Sequence, residues 1–279
     1  MKKSKRKRVL YILNKKLSTF KSNRQHTNWV KDCRRHFRIR YWGKRISADT
    51  TLSSLKNAID AFKPDYIYMT IRKRYEEWLP DLTSIKNVPK IFVEMDTCYY
   101  SRKDPWYKQF DKLYCRCPWW NGWDKVPFFK WSVPEKAFST EKVERKGTFF
   151  IGEWQKNKYQ YRRDLHEAYG DKIEFHRQEG RLYWEMLHGA SALVCPTNHD
   201  FGNYIPSKLF EYLASGAAVI TNCNMSKAGL KSLKSCVIKY QGLEDLKNKL
   251  DIDFTKYHDQ AIAVMRQNTH VKRYGSLFK

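Results

Sequence analysis

The chain has 279 residues, and its 54 Lys and Arg against 29 Asp and Glu give a formal net charge of +25. Its hydrophobic content of 42%, with ten Trp and fifteen Phe, is ample for two small domain cores of about 140 residues each. There is no run of 18 apolar residues, and the apolar stretch 9–13 behind the basic start is too short for a signal peptide, so we expect a cytoplasmic protein without a transmembrane segment.

The first half of the chain is predicted to alternate strands and helices. Apolar patterning predicts strands over 8–13, 37–41, 66–70, 91–94, 111–114 and 126–129, and helices over 27–36 and 52–62. In the first helix, Trp29 and Val30 are expected to face inward. Strands that alternate with helices are typical of a parallel sheet covered by helices.

The second half repeats this α/β pattern. A strand and glycine turn cover 147–152, Tyr161-Arg162-Arg163 opens a helix over 164–169, and a short strand follows at 172–175. A helix over 182–188, a buried strand over 192–195, a loop, a helix that contains Lys208, and a strand over 217–220 complete the unit. This order predicts a second doubly wound parallel sheet.

The segment Asn203–Asn222 carries the most specific pattern. Lys208 and Glu211 are three residues apart and share one face near a helix start, where free N–H groups, a cation and a carboxylate suit a phosphorylated nucleotide sugar. Together with the turn at Gly152, the segment resembles the donor-binding motif of glycosyltransferases with the two-lobed GT-B fold. Asn203, eight residues before Glu211, resembles the spore-maturation group, whereas many retaining members have Glu there, so the stereochemical outcome stays open.

The resemblance implies two Rossmann-like lobes with the active site in the cleft between them. Residues 1–134 would form the acceptor lobe, 135–146 the hinge and 147–279 the nucleotide-sugar lobe. Lys208 with Arg162 or Arg163 would neutralise the diphosphate, and Glu211 would accept hydrogen bonds from the ribose. The implied donor-binding residues are Gly152, Arg162, Arg163, Asn203, Tyr204, Lys208 and Glu211. Transferases of this fold hold the diphosphate with helix dipoles and cations, so no essential metal or cofactor is expected beside the co-substrate, for which a UDP-sugar is favoured.

Two residues are candidates for the catalytic base. Asp96 follows the predicted strand 91–94, at the end of a parallel strand where ligands collect, and its carboxylate could take the proton of an acceptor hydroxyl. The alternative interpretation is that Asp96 caps a turn or a helix that begins at Thr97. His26, in the region after the first strand, is the second candidate.

The positive charge is concentrated at one end of the chain. Residues 1–50 hold 17 Lys and Arg against 2 acids, whereas residues 51–100 hold 7 of each. A lysine-rich composition alone would not leave the second stretch neutral, so the acceptor lobe is expected to face a polyanion. The candidate acceptor or DNA contacts are Arg24, Lys31, Arg34, Arg35, Arg38, Arg40, Tyr99, Tyr100 and Arg102. The tyrosines and the tryptophans near 106–123 could stack on bases or sugars, or fill the core.

Three classes of function fit this sequence. The first is a glycosyltransferase of the kind that phages encode, acting in the host cytoplasm, which moves a hexose to a hydroxymethylated pyrimidine in duplex DNA. The second is an envelope glycosyltransferase that docks on an anionic membrane through its basic lobe; it would need a basic amphipathic helix with exposed apolar residues, a description that 27–40 partly meets. The third is a nucleic-acid-binding protein on a decayed transferase fold. The seven irregularly spaced cysteines favour free thiols over a metal site or disulfides.

Overall fold

The computed structural model describes residues 6–13, 24–70, 77–94, 101–115, 123, 127, 132–139, 143–156, 159–178, 180–197, 205–226 and 230–279, without the side chains of 24–28 and 94. The chain forms two compact units. The first contains Met1–Lys130 together with His270–Lys279, and the second contains Trp131–Thr269. The end of the chain, which we expected in the nucleotide-sugar lobe 147–279, thus belongs to the first unit.

The first unit contains a five-stranded sheet whose strands are all parallel. The strands are β1 Lys7–Ile12, β2 Phe37–Trp42, β3 Tyr66–Thr70, β4 Lys90–Glu94 and β5 Lys112–Cys115, in the order β2-β1-β3-β4-β5. Five of the six predicted strands are therefore confirmed, with ends that differ by at most one residue. The sixth, 126–129, lies outside the described residues except for Pro127, which is not part of a strand.

The second unit repeats this topology. Its strands are β6 Lys146–Ile151, β7 Glu174–His176, β8 Ala190–Cys195, β9 Ala218–Thr221 and β10 Ile238–Lys239, all parallel, in the order β10-β9-β8-β6-β7. The chain moves from β6 to one side to form β7 and then to the other side to form β8. The strand order therefore reverses between β6 and β8, and the carboxyl ends of strands at such a switch point are where ligands bind in sheets of this kind.

Helices cover the sheets. In the described part of the chain they are α1 Arg24–Cys33, α2 Leu52–Phe62, α3 Gln160–Tyr169, α4 Gly180–Gly189, α5 Lys208–Ser215, α6 Gly242–Leu250, α7 Ile262–Arg266 and α8 His270–Leu277. The bounds predicted for α2 are confirmed. Thr51 caps its first turn by accepting from the Ser54 N–H at 3.2 Å, and Lys63, whose backbone is left-handed, ends the helix. None of the described helices combines the length and apolar composition needed to cross a bilayer.

Both faces of the first sheet are buried. The α2 side carries Leu10, Ile67 and Phe92, and the opposite side packs against α1 and α8. Trp29 and Val30 are 0% and 1% exposed, so their predicted inward orientation is confirmed. In the second unit, α3 and α6 contribute Leu165 and Leu246 to the core on one face of the sheet.

Five cysteines lie among the described residues; they are buried and form no disulfide with one another, and they are Cys33, Cys115, Cys195, Cys223 and Cys236.

Candidate functional site

The switch point of the second sheet is built by short polar segments at the ends of its strands. Gly152 follows β6, Thr197 follows β8 and Asn222 follows β9. The Asn222 Oδ1 atom accepts from the Thr197 backbone N–H at 2.6 Å and from its hydroxyl at 3.0 Å. These bonds hold together the segments that follow β8 and β9, at the carboxyl end of the sheet.

The Lys208 side chain extends from the start of α5 to the end of β6. Its Nζ atom donates to the Ile151 carbonyl at 3.0 Å and lies 4.4 Å from the centre of the Phe150 ring. The Tyr212 hydroxyl donates to the same carbonyl at 3.0 Å. Burial raises the pKa of Tyr212 well above its ordinary value, so this phenol stays protonated as a donor. The ammonium group is therefore held at the carboxyl end of β6.

Gly152 leaves the space that this ammonium group occupies. A Cβ atom at position 152 would lie 2.7 Å from the Lys208 Nζ atom, closer than real Cβ contacts allow. The glycine is thus needed here for close approach rather than for an unusual backbone angle.

A second cation lies against the same aromatic ring. The Arg162 guanidinium is 5.8 Å from the centre of the Phe150 ring and 4.2 Å from that of Tyr159, and it donates to the Glu153 carbonyl at 2.8 Å. Its Nε atom is buried and has no hydrogen-bond partner among the described residues. Phe150 therefore has two cations near its ring, one from α3 and one from α5, at the carboxyl end of β6.

The neighbouring Arg163 has a different environment. It donates to the Lys156 carbonyl at 2.8 Å and also to the Gln160 side chain, and so it fastens the segment before α3. Of the arginine doublet, Arg162 is the member that the structure places over the Phe150 ring.

Glu211 lies in the first turn of α5 and is only 7% exposed. Its carboxylate accepts a hydrogen bond from the hydroxyl of Tyr183, a buried residue of α4. A buried carboxylate needs such a donor, because burial of an unpaired charge is costly. Our reading of the sequence did not identify Tyr183. The contact joins two helices across 28 positions of sequence, and no local pattern signals it.

The structure describes only some of the remaining predicted site residues. Asp96, Tyr99, Tyr100, Asn203 and Tyr204 lie outside the described residues. Arg24 and His26 belong to α1, but their side chains lie outside the described part. Arg102 is half-buried in a turn. The other predicted acceptor contacts, Lys31, Arg34, Arg35, Arg38 and Arg40, are all exposed.

The interpretation of 27–40 as one basic amphipathic helix is wrong. The helix ends at Cys33, a short turn follows, and β2 begins at Phe37. Trp29 and Val30 are buried against the first sheet, so they are not available to insert into a lipid surface.

Comparison with known proteins identifies the fold. No family model and no curated protein matches the sequence. Among solved structures, the chain is similar to a sucrose-phosphate synthase from Thermosynechococcus elongatus, with a TM-score of 0.54 and 12% identity over 98% of this chain and 95% of the other. It is also similar to a UDP-GlcNAc 2-epimerase from Neisseria meningitidis bound to UDP-GlcNAc, with a TM-score of 0.51 and 9% identity over 97% of this chain and 98% of the other. At such low identity the similarity bears on the fold alone: this chain has the GT-B fold, with two Rossmann-like units.

Proposed function

We propose that this protein is a glycosyltransferase that moves a hexose from a nucleoside-diphosphate sugar, with a UDP-sugar favoured, to a hydroxyl group on a polyanionic acceptor. The observation that carries the proposal is the arrangement of Lys208 and Arg162 around Phe150 at the switch point, with Glu211 buried in the first turn of the same helix as Lys208. The solved epimerase, which shares the fold, holds a nucleotide sugar.

The two cations suit the diphosphate of such a donor. The diphosphate carries about two negative charges, and further charge develops on its oxygen as the bond to the sugar breaks. Cations held in place beforehand stabilise that charge without reorganisation. Lys208 would contact one phosphate and Arg162 the other, with the buried Arg162 Nε atom as a further donor. Glu211, held by Tyr183, would accept hydrogen bonds from the ribose hydroxyls.

The transfer itself needs a base for the acceptor. We propose that Asp96 takes the proton from the acceptor hydroxyl as the hydroxyl oxygen attacks the anomeric carbon of the sugar. At the same time the bond from that carbon to the diphosphate breaks, and the nucleoside diphosphate leaves. His26 is the alternative base. Asn203, Tyr204 and Gly152 would shape the donor pocket.

The proposed acceptor is a hydroxymethylated pyrimidine in duplex DNA. The charge of residues 1–50 supports a polyanion, and five of the basic residues predicted to contact it are exposed. An envelope acceptor on an anionic membrane has less support, because Trp29 and Val30 are buried. In the described part of the first unit, no large apolar side chain is exposed that could anchor the protein in lipid.

The test combines a donor screen with one substitution. UDP-, GDP- and dTDP-hexoses are incubated with the protein, with and without hydroxymethylated duplex DNA, and transfer to the DNA is measured. Glu211→Ala should lower kcat/KM by about 30-fold or more, from the loss of roughly 2–4 kcal/mol of transition-state binding. Glu244→Ala is the matched control, since Glu244 is also in the first turn of a helix, α6, but is exposed.

Two results would overturn the proposal. One is near wild-type turnover in a folded Glu211→Ala protein. The other is conversion of the nucleotide sugar to its epimer with no transfer to any acceptor, which would make the protein an epimerase on the same fold.

A further inference from the structure

The segment of the first unit from the end of α1 to the loop after β2 is rich in exposed cations. Seven basic residues occur within fifteen positions, and every one is exposed. They are called the cationic strip here and are Lys31, Arg34, Arg35, Arg38, Arg40, Lys44 and Arg45. From this strip we propose that the β2 edge of the first unit binds the phosphate backbone of duplex DNA.

Among the described residues, no acid forms an ion pair with the strip. The only acid between Lys31 and Arg45 is Asp32, and its Oδ2 atom lies 2.9 Å from the Nδ1 atom of the buried His270. No carboxylate of the described residues lies within salt-bridge distance of a strip residue. The positive charge of the strip is therefore directed to solvent, where it attracts a polyanion.

The composition of the strip favours phosphate recognition. The whole chain uses Lys more often than Arg, with 35 against 19, but the strip has five Arg and two Lys. The planar guanidinium can form two parallel hydrogen bonds to a phosphate, which an ammonium group cannot. A general bias towards lysine, or a need for solubility, would not reverse this ratio in one exposed segment.

The geometry of β2 spaces two of these arginines regularly. Arg38 and Arg40 are both exposed and are separated by one residue, so they leave the same face of the strand about 6.6 Å apart. A DNA strand carries one phosphate about every 3.4 Å along the helix axis, so this spacing matches about two phosphate steps. The Arg40 guanidinium lies 6.0 Å from the centre of the ring of Phe62, the last residue of α2.

Protection of a sheet edge explains only part of the strip. β2 is an edge strand, and charged side chains on edge strands prevent pairing with other chains. That role accounts for Arg38 and Arg40, which are in the strand. It does not account for the basic residues of α1 and the turn before β2, nor for Lys44 and Arg45 after it.

Duplex DNA fits the strip better than a lipid surface. Peripheral helices bind membranes through cations together with apolar side chains that insert into the lipid. Of the apolar residues of α1 and β2, Trp29, Phe37 and Trp42 are buried in the first unit, and the half-buried Ile39 and Tyr41 pack against its core. The strip thus offers charge without an apolar anchor, the combination typical of sequence-independent contacts to a phosphate backbone.

This inference rests on the proposed function, in which DNA is the acceptor, but its test measures DNA binding alone. Fluorescence anisotropy of a labelled, unmodified duplex is recorded over a range of salt concentrations. In the variant Arg35→Gln/Arg38→Gln/Arg40→Gln, the slope of log affinity against log salt should flatten by about 2 to 3, since each phosphate contact contributes about 0.9. Arg34 is left intact because its charge also acts on the half-buried Tyr41: burial raises the pKa of this phenol, and the nearby Arg34 opposes the rise.

The matched control removes three exposed cations from elsewhere in the same unit. It is Lys86→Gln/Lys108→Gln/Lys112→Gln, and it includes Lys112 of β5, the opposite edge strand. The control has the same net charge as the strip variant, so it should keep most of the wild-type slope. Equal flattening in the two variants, or no flattening in the strip variant, would overturn the proposal.

Two further measurements separate the possible failures. Wild-type protein is offered vesicles of equal parts phosphatidylglycerol and phosphatidylcholine in the presence of excess duplex, and release from the vesicles is expected; retention would overturn the proposal in favour of a lipid partner.

The second measurement is a calorimetric titration with UDP-hexose, in which the affinity of both variants should match that of the wild type. If wild type binds duplex through the strip but binds no nucleotide sugar, the proposed function fails and this inference stands.

Discussion

At the scale of single residues, the candidate donor site depends on how one ammonium group is held. Lys208 is fixed by the Ile151 carbonyl and by the Phe150 ring, and Tyr212 shares that carbonyl. The contacts come from β6 and α5, two elements that meet at the switch point. Their geometry orients the cation before any ligand arrives, and such preorganisation makes an electrostatic contact effective.

Gly152→Ala tests this arrangement. The new Cβ atom would lie 2.7 Å from the Lys208 Nζ atom, so the flexible lysine should move rather than the backbone. We expect the affinity for UDP-hexose to fall about tenfold and the stability of the protein to change little. A tenfold change corresponds to the lower end of the roughly 1.5–3 kcal/mol that a hydrogen bond to a charged group contributes. Isothermal titration calorimetry measures the affinity.

A double-mutant cycle identifies the cause. In a Lys208→Ala background, the Gly152→Ala change should have almost no further effect on affinity, because the displaced group is already absent. Equal effects of Gly152→Ala with and without Lys208 would show that the glycine acts through another contact.

At the scale of elements, α5 is a short helix that is buried on nearly all sides and ends at a glycine. Gly216 has φ = 82°, and a Cβ atom there would lie 2.1 Å from the Asp259 Oδ1 atom and 2.6 Å from an Arg145 nitrogen. Arg145 in turn donates to the Ser215 carbonyl at 3.0 Å, the last carbonyl of the helix. The end of α5 therefore depends on the absence of a side chain at this position.

Gly216→Ala should therefore destabilise the protein. We expect a loss of about 1–3 kcal/mol from the left-handed backbone, with a further cost for moving Asp259 and Arg145. Equilibrium urea unfolding measures it. Gly189→Ala is the control, because Gly189 ends α4 in the same unit and a Cβ there would meet nothing within 4 Å. The explanation fails if the two variants are equally stable.

At the scale of the whole molecule, the chain returns to its first unit for its last helix. Tyr274 of α8 is fully buried, and its ring stacks on Trp29 with centroids 4.3 Å apart and planes 11° apart. Leu277 and Phe278 are buried beside it, and His270 lies 2.9 Å from Asp32. These contacts join the last residues of the chain to α1, although more than 200 positions separate them in sequence.

Tyr274→Ala should destabilise the first unit by about 3–5 kcal/mol, the usual cost of removing a large buried aromatic side chain. Hydrogen exchange should then show lost protection in β1 and β3, while β8 and β9 keep theirs. Ser276→Ala, on the exposed face of the same helix, is the control and should change little. Protection lost first in the second unit would contradict this view of α8.

Much of the fold could be predicted because its elements have strong local signals. The strand 66–70 is a continuous apolar run, and the helix 52–62 carries apolar residues at the helical period; the structure has both with the predicted bounds. Other ends were misplaced where no local signal exists. The strand predicted at 172–175 begins at Glu174, because the N–H groups of Lys172 and Ile173 still bond to the Tyr169 carbonyl at the end of α3.

The amino-acid sequence by itself determined the two parallel α/β units and the motif residues Lys208, Glu211 and Gly152. Periodicity, glycine stops and short-range spacing are properties of neighbouring residues, so they are visible before folding. Only the tertiary structure decided that Tyr183 holds Glu211, that Arg162 lies over Phe150, and that α8 joins the first unit. Those contacts depend on the packing of distant segments, which shape complementarity and burial select and which no local pattern encodes.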